Sequence, residues 1–230
     1  MKRSLLLLTS LLILSCSPAD RYKNLPEVRA WEKDIREFEK LDKSEKYPGN
    51  AVLFAGSSSI RLWSSLATDM APYPVIQRGY GGAKLSDFAV YADRIISPHF
   101  CRAIVLFVAN DITGGSSDKS PKEVADLFSY ILKTIRKSHP DTPVFWIEIT
   151  PTASRWSAWA DIQKANSGIS DICSRNSNTY YIRTDTAFLD ADGKPRNELF
   201  IGDKLHLNQQ GYSIWTEIIK KELERVIPVN

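Results

Sequence analysis

Five short apolar runs, set apart by helix-forming segments, limit most tightly what this chain can fold into. They occupy 51–55, 75–77, 103–109, 144–149 and 179–182. Runs of this length mark strands buried on both faces. Around them lie amphipathic stretches. Residues 26–43 place Trp31, Ile35, Phe38 and Leu41 at helical spacing among many charges. Over 121–138, Ser120 is positioned as an N-cap, Pro121 suits the first helical position and Glu123 completes a capping box. Val124, Leu127, Phe128, Ile131 and Ile135 then share one face. Over 209–226, Asn208 is the candidate cap, and Tyr212, Trp215, Ile219, Leu223 and Val226 form the buried side. Strands alternating with helices predict an α/β three-layer sandwich, a parallel sheet covered on both faces. Right-handed crossovers would bring the carboxyl end of every strand to one edge of that sheet. No repeat, low-complexity stretch or linker interrupts 26–230, so one domain is expected there.

The first 25 residues carry a different signal. Lys2 and Arg3 precede 5–14, a run that is apolar apart from Thr9 and Ser10. It is too short to span a bilayer and suits the core of a signal peptide. It ends in Ile13-Leu14-Ser15-Cys16, which resembles the lipobox of bacterial lipoproteins. On that resemblance 1–15 is a removable signal peptide, Cys16 carries the lipid, and 16–25 is a polar tether. Plain secretion with an incidental cysteine is the other reading. The resemblance implies an exported, lipid-anchored protein of the bacterial cell envelope, and Ser17 rather than Asp after Cys16 favours the outer membrane.

Lys+Arg number 30 against 27 Asp+Glu, and Lys2 and Arg3 belong to the leader. The remainder is close to neutral, without the basic bias of a nucleic-acid partner. Cys101 and Cys173 fall in or beside predicted elements and are expected as buried free thiols, a disulfide being the alternative in an oxidising compartment. No Cys/His spacing suggests a metal site. His99 and His139 each adjoin a proline near a predicted element end and read as surface residues.

In such a sheet ligands bind beyond the carboxyl ends of the strands. Four segments fall there: Gly56-Ser57-Ser58-Ser59, Gly79-Tyr80-Gly81-Gly82, Asn110-Asp111, and Asp203-Lys204-Leu205-His206 before the last helix. Together they offer a hydroxyl, backbone donors, a side-chain amide donor and a base with an orienting acid, the parts of an acyl-transfer site. Each also has a plain structural reading. A serine run before a helix caps it. The glycines serve a turn that needs positive φ, and Asn110-Asp111 serves capping or turn chemistry. The glycine segment does not match the dinucleotide fingerprint, because Lys84 stands at the last glycine position.

The order of the four segments resembles the SGNH, or GDSL-like, hydrolase family over residues 51–212. Phe54-Ala55-Gly56-Ser57-Ser58-Ser59-Ile60 aligns with the family's Gly-Asp-Ser block. Arg78-Gly79-Tyr80-Gly81-Gly82-Ala83 aligns with the glycine block, and Val108-Ala109-Asn110-Asp111 with Gly-x-Asn-Asp. Asp203 and His206 align with Asp-x-x-His. Residues 151–156 and 189–195 also look like segments of this family. The resemblance implies a flavodoxin-like sheet of about five parallel strands. It implies Ser58 as nucleophile, His206 as base and Asp203 as its orienting acid. The oxyanion would be met by Ser58 N–H, Gly82 N–H and the Asn110 amide, with no metal or cofactor. Ser57 departs from the block's Asp, and Val108 from the third block's Gly; the first bears on how the nucleophile loop is held, the second on pocket shape.

These expectations describe a serine hydrolase of carboxylic esters, with short acyl groups such as acetyl on a carbohydrate favoured because no long apolar lid segment is present. A lysophospholipase- or thioesterase-type acylhydrolase is the alternative within the class. A non-catalytic, glycan-binding surface lipoprotein is the alternative outside it. Expected partners are a small-molecule or oligosaccharide ester and the membrane holding the anchor.

Overall fold

The computed structural model describes residues 17–229. The expected signal peptide, and Cys16 as the expected lipid-bearing residue, lie outside the described residues. The five apolar runs are β1 (Val52–Gly56), β2 (Val75–Gly79), β3 (Ala103–Phe107), β4 (Val144–Ile147) and β5 (Thr179–Ile182). All pairings are parallel, in the order β2-β1-β3-β4-β5. The helices are α1 (Pro18–Tyr22), α2 (Pro26–Arg29), α3 (Glu32–Ser44), α4 (Ser58–Arg61) and α5 (Leu66–Asp69), followed by α6 (Leu85–Ile96), α7 (Pro121–Ser138), α8 (Trp159–Arg175), α9 (Asp185–Phe188) and α10 (Gln209–Val226). The α/β sandwich with a five-stranded parallel sheet is therefore as expected.

The strand order explains the layers. The chain steps one way from β1 to β2 and the other way for every later strand, so right-handed crossovers send those connections to opposite faces. Helices α6, α7 and α8 pack side by side on one face, where Phe128 meets Trp146 edge-on at 4.9 Å. On the other face Trp215 of α10 lies 4.8 Å from Phe107 and 5.9 Å from Trp63. Trp63, Trp146 and Trp215 are all fully buried. Asn208 caps α10 by accepting from Gln210 N–H and Gly211 N–H, which anchors the helix directly behind the loop that carries His206.

Several local readings need correction. The 26–43 stretch is two helices, because the chain breaks between α2 and α3 and Trp31 turns to pack on Tyr80 at 5.2 Å. Residues 18–22, read as part of a tether, form α1. Ser17 and Asp20 cap it reciprocally, and Tyr22 is buried against the domain. The Tyr22 hydroxyl donates to the Glu123 carboxylate. That contact removes one half of the expected capping box on α7: Ser120 still accepts from Glu123 N–H at 3.2 Å, but the Glu123 side chain is committed elsewhere. His99 and His139 are buried, not superficial. His139 sits 3.2 Å from the Ile96 carbonyl, and burial holds His99 below the usual imidazole range despite Asp42 nearby. Cys101 and Cys173 are buried free thiols, each pushed up to about 12 by burial. Among the described residues no helix is long and apolar enough to cross a membrane.

Candidate active site

The order of strand addition reverses between β1 and β3, and a crevice opens at such a switch point beyond the strand ends. The chain leaves β1 through Gly56, whose φ of +141° is one that side-chain-bearing residues rarely adopt. A Cβ there would lie 1.9 Å from the Phe107 carbonyl oxygen. The missing side chain lets Ser57 N–H donate to that same oxygen at 2.8 Å, which fixes the turn carrying Ser58. Ser57, where the family block has Asp, is buried and makes no side-chain capping bond to α4. The capping reading of the serine run is therefore not what the structure shows. Ser58 opens α4 and lines the cleft at 9% exposure.

The loop before α10 brings its acid and base to this serine. His206 Nε2 lies 2.9 Å from Ser58 Oγ, and His206 Nδ1 lies 2.6 Å from Asp203 Oδ2. The i, i+3 spacing works because the Asp203 carboxylate organises its own turn: Oδ1 accepts from Leu205 N–H at 2.9 Å and from His206 N–H at 3.0 Å. Lys204 takes the positive φ of +54° that the turn requires. Burial raises the Asp203 pKa, but bonds from the His206 ring and the two N–H groups outweigh it and hold the carboxyl below its ordinary value. A carboxylate facing Nδ1 can only accept, so Nδ1 carries the proton and Nε2 is free to accept from the serine hydroxyl.

Of the three expected donors, Ser58 and Asn110 line the cleft, while Gly82 follows β2 and is not among its lining residues. Ser58 N–H is the first in its helix, and Gly82 sits at φ +71°. Among the described residues no hydrogen bond takes either N–H. Asn110 lines the cleft with its Nδ2 donating to the Ala83 carbonyl at 2.8 Å. Its neighbour Asp111 has the structural role: it is buried and accepts from Leu85 N–H at 2.6 Å at the start of α6, with Lys119 at 3.4 Å. The pair Asn110-Asp111 thus divides, one residue for the cleft and one for the helix end.

About 380 Å³ of space, part of it open to solvent, lies between the residues that line the cleft. Phe107, Ile149, Leu207 and Trp215, all buried, close its inner wall. It also contains Arg155, to which no role attached from the sequence. Arg155 donates to the Ala109 carbonyl and to Asn110 Oδ1. The available signal was a cation in the segment following β4, at the same sheet edge as the other four segments. Among the described residues no cluster of three or more His, Cys, Asp or Glu is placed to hold a metal.

Solved structures with the same fold include a Streptococcus pneumonia protein provisionally named a platelet activating factor. It is 18% identical, with 85% of this chain and 94% of that one covered, at a TM-score of 0.75. A GDSL-like lipase from Bacteroides thetaiotaomicron is 16% identical over 84% and 98% of the two chains, TM-score 0.71. A carbohydrate esterase family 3 protein from Talaromyces cellulolyticus is 16% identical over 77% and 98%, TM-score 0.57. At these identities the likeness concerns the fold. No curated protein is a significant sequence match. The family model of the GDSL-like lipases and acylhydrolases matches residues 49–214, which contain all four of the candidate segments, and the chain belongs to that family of ester-bond hydrolases.

Proposed function

We propose that the chain is a serine esterase acting on short acyl esters, acetyl on a carbohydrate first among them. The observation that carries the reading is the hydrogen-bonded line from Asp203 through His206 to Ser58, with Asn110 lining the same cleft at the sheet's switch point. Ser58 Oγ attacks the ester carbonyl carbon while its proton passes to His206 Nε2. Negative charge moves onto the carbonyl oxygen, where Ser58 N–H, Gly82 N–H and the Asn110 amide meet it. Collapse expels the alcohol, which takes the proton from His206. Water then repeats the sequence on the acyl-enzyme, with His206 as base, and releases the acid. Asp203 holds the imidazole in the required tautomer and stabilises the imidazolium formed at each attack.

The inner wall of aromatic and branched side chains supports the short acyl group. Close-packed walls resist added methylenes, at about 1–3 kcal/mol for an overpacked site. The fold shared with a carbohydrate esterase supports a sugar as the alcohol. The proposal retains export and the Cys16 anchor in the bacterial envelope, which would place the domain beside envelope or extracellular glycans. A panel of esters from two to sixteen acyl carbons, run with acetylated oligosaccharides, tests it. The highest kcat/KM is expected at two carbons, with a fall of about tenfold or more by six. A maximum at eight carbons or beyond would instead establish a lipid or thioester acylhydrolase.

A further inference from the structure

Buried charges in proteins are normally paired with an opposite charge. Arg155 is only 9% exposed, yet among the described residues it forms no direct ion pair; the Asp118 and Asp111 carboxylates favour its charge only from a distance. Its guanidinium is directed at two uncharged oxygens, the Ala109 carbonyl and Asn110 Oδ1. A guanidinium has only donors, so the Asn110 atom facing it must be the amide oxygen. The Ala83 carbonyl is only an acceptor, so the atom facing it, at 2.8 Å, must be Nδ2. The Asn110 amide is therefore fixed from both ends, and one N–H remains for the cleft.

We propose that Arg155 is a positioning residue for the oxyanion site: it locks the Asn110 amide in the orientation that presents this N–H, and it polarises the group. This rests on the reading of Asn110 as an oxyanion donor. Without Arg155 only the bond to the Ala83 carbonyl holds the amide, which is then freer to turn and present its oxygen to the developing negative charge. With it, the charge-assisted bond to Oδ1 draws electron density away from Nδ2 and strengthens the remaining donor. The residue is itself well held. It belongs to the 3₁₀ segment Ala153–Ala158, where its φ/ψ of −119°/17° departs from helical values. Its N–H donates to the Thr152 carbonyl at 3.2 Å, and Ser154 N–H donates to the Lys204 carbonyl at 3.3 Å. The segment thus spans from the loop with Asn110 to the loop with the base.

The test compares kcat, KM and thermal stability for Arg155→Ala, Arg155→Lys, Asn110→Ala and the Arg155→Ala/Asn110→Ala double variant. Arg155→Ala is expected to lower kcat by roughly tenfold to a hundredfold, with KM changed by less than about threefold. Asn110→Ala is expected to lower kcat by about 10²–10³. The double variant should be no slower than Asn110→Ala alone, because Arg155 acts through that amide. Low-millimolar guanidinium should restore part of the kcat of Arg155→Ala and nothing in the double variant. Arg155→Lys keeps a cation but loses the fork, so it should fall between parent and Ala; if the Ala variant does not fold, the Lys variant alone and with Asn110→Ala decides. Losses that multiply in the double variant overturn the proposal. So does a kcat within about twofold of the parent in folded Arg155 variants, or a raised KM at constant kcat. If Asn110→Ala itself keeps full kcat, the oxyanion reading fails and Arg155's role fails with it. If Asn110→Ala loses activity and Arg155→Ala does not, only the proposal for Arg155 is lost.

Discussion

Ser58→Ala is expected to leave a folded protein whose kcat is lower by roughly 10⁴–10⁶. Among the described residues the hydroxyl makes one hydrogen bond, to His206 Nε2. The main-chain bond that anchors α4, Leu62 N–H to the Ser58 carbonyl at 2.8 Å, is unaffected by the substitution. The Ser58 N–H also remains, so the proposed oxyanion donors are left in place and are expected to give the residual rate. Ser57 and Ser59 are buried beside it and lack the contact with the base. Alanine at either should retain turnover within about tenfold, the loss coming from small shifts of the nucleophile turn. Ester hydrolysis and thermal melts of the three variants check this. Parent-like turnover in Ser58→Ala would move the nucleophile elsewhere.

Gly56→Ala is expected to damage the fold itself, by about 3 kcal/mol or more, with a Tm lower by about 6–12 °C. Two penalties coincide. The φ of +141° is strained for any residue with a Cβ, and that atom would overlap the Phe107 carbonyl oxygen at 1.9 Å. Relief requires β1 and β3 to separate at their ends, which breaks the bond from Ser57 N–H to the same oxygen. Activity should fall with stability, because that bond also sets the serine turn. Gly193→Ala is the control: its φ is +69°, but nothing lies within 4 Å of the added atom. It should cost only about 1 kcal/mol, the backbone penalty alone. A Tm for Gly56→Ala within about 2 °C of the parent would show that the turn accommodates a side chain.

Legibility of the sequence followed the range of the interactions. Buried parallel strands have no polar face, so 179–182 appeared as β5 to the residue and the other four runs within a few positions. Helices α7 and α10 were readable because cap and apolar face agreed over 18 residues each. The cleft segments were visible because local chemistry marks them: a serine after a strand, glycines, an Asn-Asp pair and Asp-x-x-His. What stayed hidden depends on partners distant in the chain. Glu123 has the right spacing for a capping box, but Tyr22, 101 residues away, takes its carboxylate. His99 and His139 adjoin prolines at element ends, yet tertiary packing buries both. Trp31 fits a helical stripe but leaves it for Tyr80. Arg155 lies in a segment, 151–156, that resembles the family, but its contact with Asn110, 45 residues away, exists only once the chain folds.

The central claim is that Ser58 is the activated nucleophile and that His206 activates it. A fluorophosphonate tests this directly: the attacking serine oxygen forms a bond to phosphorus, fluoride leaves, and the adduct is stable enough to locate by mass spectrometry of the intact protein and its peptides. The account predicts one adduct per chain, on Ser58, formed at a rate that falls by about 10³ or more in His206→Ala. An adduct on Ser57 or Ser59, or undiminished labelling of Ser58 after His206 is removed, would contradict it.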